Sequence, residues 1–149
     1  MKNALIAGVA AVVSVLAAAA VAAAAPAAHS ATITTGHTRL GQIIVDGRGL
    51  SLYLFEKDAR GRSACSGACA VYWPPLLTSG KAVAIKGAKA SLLGTVRRAD
   101  GSRQVSYAGH PLYFFAGDSR RGQTGGEGLQ DFGAGWYALA ASGKKIDRD

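Results

Sequence analysis

Cys65 and Cys69 stand four residues apart in a C-x-x-x-C pattern and are the only cysteines in the chain. In an oxidising compartment, sulfur at that spacing closes a disulfide, because a helical turn brings the Cα atoms into the ~4.4–6.8 Å range the bond needs. As two thiolates, the pair would suit thiol exchange or Cu(I), with His37 or His110 to complete a copper site. The disulfide is the expectation. Met1 is the only methionine, no histidine lies within thirty residues after Cys69, and Ala70 stands where an attached-haem motif needs histidine. So short a loop constrains the unfolded chain little. Its gain is expected to fall below the usual ~2–4 kcal/mol, and its role to be local, holding the turn that presents Tyr72 and Trp73.

The second candidate set is duplicated. Tyr53, Phe55 and Asp58 recur as Tyr113, Phe115 and Asp118. In a strand, Tyr and Phe two apart face the same way, and the aspartate falls where the strand ends. Such a set could bind a ligand or take part in catalysis, and paired aspartates could hold Ca²⁺, but neither loop has the D-x-D-x-D-G spacing that such a site needs. The reading favoured is structural: aromatic core, with each aspartate accepting N–H groups of the following turn. The chain carries no G-x-S-x-G, H-E-x-x-H or P-loop. No catalytic residue, cofactor or metal ligand is therefore assigned, and the protein is expected not to be an enzyme.

These residues need strands to position them. Four markers recur in order. Leu40-Gly41 matches Leu93-Gly94, Asp46-Gly47 matches Asp100-Gly101, Leu52–Asp58 matches Leu112–Asp118, and Trp73 matches Trp136. Their separation drifts from 53 to 63 positions, which implies insertions between strands. Two copies are too few for a solenoid, so two half-domains should share one core. Ile43–Val45 and Leu50–Phe55 read as a hairpin. Leu50, Leu52 and Leu54 share one face and Ser51, Tyr53 and Phe55 the other, so both faces of that strand are expected to be covered. Thr95–Arg98, Arg103–Tyr107 and Pro111–Phe115 read as a meander around Asp100-Gly101 and Ala108-Gly109, and Trp136–Ala140 as a closing strand. Ser66–Tyr72 should give a short helix stopped by Pro74-Pro75. Residues 117–135 hold seven glycines and no periodicity; they read as a long loop, ordered or mobile.

The N-terminus reads as an address. Lys2 precedes an uncharged run from Ala4 to Ala25, and Ala25-Pro26-Ala27 fits a small-x-small cleavage site. Residues 1–27 are therefore expected to be a signal peptide. An uncleaved anchor is the competing reading, since the run is long enough to span a bilayer. No cysteine near the cut is available for lipid attachment. Without those residues, sixteen Lys/Arg face nine Asp/Glu, an excess of seven positive charges that suits an anionic wall polymer or membrane surface. Arg97-Arg98 and Arg120-Arg121 are the densest pairs, and no motif around them reads nucleic acid.

Over Leu40–Leu139 the chain resembles a bacterial family of exported, lipoprotein-like domains, a secreted repeat of unknown function with a Y-x-[FWY]-x-x-D motif. LGQIIVDGRGLSLYLFEKD, SACSGACAVYWPPL and SLLGTVRRADGSRQVSYAGHPLYFFAGD carry the likeness. It implies a whole-domain match. Two departures stand out: the absent lipobox cysteine, and Ala108 where the family often has asparagine before the turn glycine, which implies a less rigid turn.

Together these readings give one exported all-β domain of about seven short antiparallel strands, from two duplicated half-domains (about 40–76 and 93–140) with one short helical turn. Residues 28–39 are expected to be a flexible linker and 141–149 a polar tail. The expected role is a non-enzymatic cell-envelope or extracellular binding or structural domain. The alternative is a redox or copper-handling protein using Cys65 and Cys69.

Overall fold

The computed structural model describes residues 28–147; the signal-peptide reading falls outside them. Nine strands and one short α-helix, α1 (Ala68–Tyr72), follow one another, with a single 3₁₀ turn at Ala90–Leu92. The strands are β1 (Thr32–Thr38), β2 (Gly41–Asp46), β3 (Tyr53–Phe55), β4 (Val83–Ala84), β5 (Leu93–Arg97), β6 (Arg103–Tyr107), β7 (His110–Pro111), β8 (Gln130–Asp131) and β9 (Ala134–Ala138). They form three small sheets, ordered β2-β1-β4, β3-β9-β8 and β5-β6-β7. The class is all-β as expected. The count is nine instead of about seven, and β4 pairs with β1 in parallel.

One expectation is corrected. Residues 28–39 are no linker: β1 pairs with β2 over six positions, from Ile33↔Asp46 to Thr38↔Gly41, and Ile33 is fully buried. Threonine-rich β1 alternates too weakly in hydropathy to announce itself, since only Ile33 supplies the inward face. The polar tail is tied to the domain within the described residues. Ile146 N–H donates to Ala138 O at 2.7 Å, and Tyr107 Oη donates to Ala141 O at 2.7 Å.

With β1 in place, the duplication runs at a nearly constant offset. Sixty positions separate Thr35 of β1 from Thr95 of β5 and Tyr53–Asp58 from Tyr113–Asp118, while their paired strands β2 and β6 are shifted by one more, Ile44 matching Val105. The turn glycines agree: Gly41 and Gly101 have φ of 94° and 85°, and Gly49 and Gly109 have 88° and 84°. The drifting matches of Leu40-Gly41 with Leu93-Gly94 and of Asp46-Gly47 with Asp100-Gly101 are therefore coincidences of composition. After the aspartates the offset grows to 63, because the second loop is longer. Ala108 adopts φ of 51°, a left-handed conformation that costs alanine about 1–2 kcal/mol and asparagine less.

The two halves interlock. β3 lies between β9 and Tyr113; Tyr53 and Tyr113 exchange backbone hydrogen bonds in both directions, at 2.8 and 3.0 Å. The segment after Trp73 leaves its own half: Leu76 N–H donates to Leu112 O and Phe114 N–H to Pro74 O. The segment after Trp136 does the converse, pairing β9 with β3 and accepting Ile44 N–H at Leu139 O. Each half thus completes the other's sheet about a pseudo-twofold axis at the Tyr53–Tyr113 pair. Alternation then sorts the core into two layers. Tyr53, Phe55, Tyr113, Ile43 and Val45 join an aromatic cluster, while Leu52, Leu54, Leu112 and Ile44 join an aliphatic one.

Because the segment after each half's tryptophan has its partners in the other half, residues 28–86 and 87–147 made as separate fragments should each give collapsed, undispersed amide NMR spectra. Mixed, they should recover native dispersion. A dispersed spectrum from either fragment alone would contradict the interlock.

Candidate functional site

Turn geometry places the duplicated aspartates. Asp58 N–H donates to Phe55 O and Asp118 N–H to Phe115 O, both at 3.0 Å, and each side chain then reaches back over its own loop. Asp58 Oδ1 accepts Ala64 N–H at 2.7 Å, and Asp118 Oδ1 accepts Gly125 N–H at 2.9 Å. The second oxygen in each case takes a phenol from the other half. Tyr113 Oη donates to Asp58 Oδ2 at 2.8 Å and Tyr53 Oη to Asp118 Oδ2 at 2.5 Å. Six positions of the motif are therefore two reciprocal clamps.

Between the clamps lies a column of four rings. Trp73 stacks on Trp136 (centroids 3.9 Å, planes 6° apart), Phe55 stacks on Trp136 at 4.0 Å, and Phe115 lies on Trp73 at 4.7 Å. Tyr53 and Tyr113 meet Trp73 and Trp136 edge-on. Each tryptophan thus carries its own half's tyrosine on its edge and the other half's phenylalanine on its face. Among the described residues, Trp136 Nε1 donates to Asp131 O at 3.0 Å, while Trp73 Nε1 is buried with no protein acceptor.

The loops that close the clamps are equivalent in place and different in chemistry. The first holds the Cys65–Cys69 disulfide, Cα–Cα 5.3 Å, with both cysteines buried in the aromatic cluster. Arg98 locks it, donating to Cys65 O at 2.7 Å, Ser63 Oγ at 3.0 Å and Gln104 Oε1 at 2.8 Å. The second is the glycine-rich segment, and it is tied down. Gln123 Oε1 accepts the N–H groups of Ser119 and Arg120, Arg39 donates to Thr124 at 2.9 and 3.2 Å, and Ser51 Oγ donates to Gln123 O. A Cβ at Gly126 would lie 2.9 Å from both Trp73 and Tyr53, so only glycine lets this backbone cross the ring column. No local pattern in the sequence marks Ser63, Arg39 or Gln123. Arg98 reads there as half of a basic pair, and nothing in its spacing marks it as a clamp.

Electrostatics follow from burial. Burial, and then the neighbouring carboxylates, push both phenols above the ordinary tyrosine range. Burial also pushes the Asp58 carboxyl up to about 6, although the Ala64 N–H, the Tyr113 hydroxyl and Arg98 favour its anion. Asp58 borders a surface hollow of about 780 Å³ with Glu56, His110 and Lys145, and Asp118 is not part of it. Lys145 there is already held by Glu56 at 2.8 Å and Asp147 at 3.0 Å. Each motif aspartate is instead closed by its own loop and by a phenol of the other half. His37 is exposed on β1 and His110 lies on β7, and no group of three or more metal-ligating side chains occurs among the described residues.

A family model described as a secreted repeat of unknown function matches residues 34–77 and 94–140. Its two matches begin sixty positions apart, at equivalent points of β1 and β5. No curated protein and no solved structure matches the chain.

Tyr53→Phe removes one donor from the half-buried Asp118 carboxylate and should cost about 1–3 kcal/mol in urea unfolding; a change under ~0.5 kcal/mol would mean that the clamp is not structural. For Asp58, the folded state holds its proton more tightly than the unfolded chain, whose aspartate titrates near 4. That stability is complete below about pH 4 and is lost as pH rises through about 6. The excess stability of wild type over Asp58→Asn should therefore shrink between pH 4 and 7, and the Asp58 carboxyl NMR resonance should titrate near 6. An excess that grows over that range would refute the assignment.

Proposed function

Because the chain belongs to the family of secreted repeats of unknown function, we propose that it serves, once exported by its N-terminal signal, as a non-enzymatic binding or structural module of the cell envelope or extracellular space. Its cationic surface meets an anionic polymer or a membrane surface.

The observation that carries the non-enzymatic part is the consumption of the chemically capable side chains. Both aspartates, both tyrosines and both tryptophans of the repeat are engaged across the pseudo-twofold axis. A catalytic carboxylate needs room for a reacting atom within hydrogen-bond reach, whereas these are occupied by the partner half's phenols. The thiol-based alternative needs accessible thiolates, and Cys65 and Cys69 are bonded to each other and buried.

Charge supports the anionic partner. Of the fifteen Lys and Arg within residues 28–147, ion pairs within the described residues involve Arg48 and Lys145. Lys81, Lys86, Lys89, Arg97, Arg103, Arg120 and Arg121 are exposed, and attraction to a polyanion costs them no competing pair. No described helix is long and apolar enough to cross a membrane.

The protein should be retained at low ionic strength by an immobilised polyphosphodiester or by phosphatidylglycerol vesicles, and released by roughly 1 M salt, where the screening length falls to about 3 Å. Arg120→Glu combined with Arg121→Glu should weaken retention without lowering Tm. Retention that ignores salt, or none at all, would remove the polyanion reading.

A further inference from the structure

Two strand edges are left open beside each other. β4 and β5 are outer strands of different sheets, and both border one groove of about 850 Å³ lined by Lys81, Val83, Ala84, Leu93, Thr95 and Arg103 among others. The backbone register says which groups face it. Val105 N–H and C=O are spent on Leu76 and Leu112, so the Thr95↔Val105 pair exchanges no hydrogen bonds and Thr95 turns its own N–H and C=O outward. Arg103 C=O likewise goes to Thr78, which leaves Arg97 outward. On the facing wall, Val83 and Ile85 N–H donate to Ala31 and Ile33, so Ala84, between them, presents its peptide groups to the groove.

We infer that this groove is a docking site for an extended acidic peptide segment, which adds as a strand along the outer edge of β5. Three features point there. The Thr95 and Arg97 peptide groups form a ladder two residues apart, the spacing that a pairing strand satisfies. The floor is apolar and partly open, with Val83 45% exposed, and so accepts the alternate side chains of a bound strand. The charged side chains of the lining are Lys81 and Arg103, with no carboxylate among them. Asp100, at the tip of the β5–β6 hairpin, is turned onto the Ser102 N–H and hydroxyl. Exposed edges are usually blocked by proline or by an inward charge, and the Leu93–Arg97 strand has neither at Thr95. The acidic residues of the guest answer Lys81 and Arg103, and its backbone answers β5. The site goes beyond the polyanion reading, because a backbone ladder recognises a polypeptide and diffuse surface charge does not.

The test is titration of the ¹⁵N-labelled protein with a blocked hexapeptide alternating valine and aspartate. Saturable amide shifts should centre on Ala84, Thr95 and Arg97. N-methylation of alternate peptide nitrogens should weaken binding at least tenfold at unchanged charge, and an alternating valine–lysine peptide should not bind. Thr95→Pro removes an outward donor and no ladder bond, so it should abolish peptide binding and leave salt-sensitive retention on the polyphosphodiester intact. Equal binding of the N-methylated peptide, shifts centred elsewhere, or no saturable shift at millimolar peptide would each overturn the site. Loss of polyanion retention with peptide binding preserved would overturn only the surface-charge reading.

Discussion

Everything in this fold depends on the exchange across the Tyr53–Tyr113 pair. Two tyrosines hydrogen-bond to each other through their backbones and then send their hydroxyls to each other's aspartates. A buried carboxylate without donors is costly, and so is a buried phenol without an acceptor. Each half carries one of each and cannot satisfy them alone. The tryptophan column obeys the same rule, since each indole face is covered by rings from the other half. Stability and halfway association are thereby the same event.

This arrangement engages the side chains of a motif rich in chemically capable groups with one another. The symmetry that duplicates the set also uses it up. What differs between the halves is confined to the loops after the aspartates. One is stiffened by a disulfide and clamped by Arg98; the other holds no cysteine and relies on side-chain caps from Gln123 and Arg39 and on the bare backbone of Gly126. Two unrelated devices hold equivalent aspartates in equivalent places. The constraint therefore acts on the position of the carboxylate, and the loop chemistry is free to vary.

Charge is distributed on the same principle. Arg98 and Arg39 are drawn in to anchor loops, Arg48 and Lys145 are paired, and most remaining cations stay on the surface. The interior motif side chains are taken up within the fold, so the polyanion and peptide proposals fall on the exterior cations and the outer edge of β5.

Much was legible in the residues themselves. The strand alternation at Leu52–Phe55, the hairpin at Asp100-Gly101, the helix before Pro74 and the cysteine pairing each rest on local physics, namely side-chain period, turn chemistry and reach along the chain, and they stand as read. Residues 28–39 were not legible, because a threonine-rich strand is defined by its neighbour β2 and not by its own pattern. Nor was the true offset of about sixty residues between the copies, which short dipeptide matches obscured. The sequence by itself determined that there are two copies of one β unit, with aromatic and acidic residues at fixed places in each. Only the tertiary structure decided that every such residue finds its partner in the opposite copy, because a hydrogen bond across some sixty positions depends on how the sheets come together and leaves no trace in local spacing.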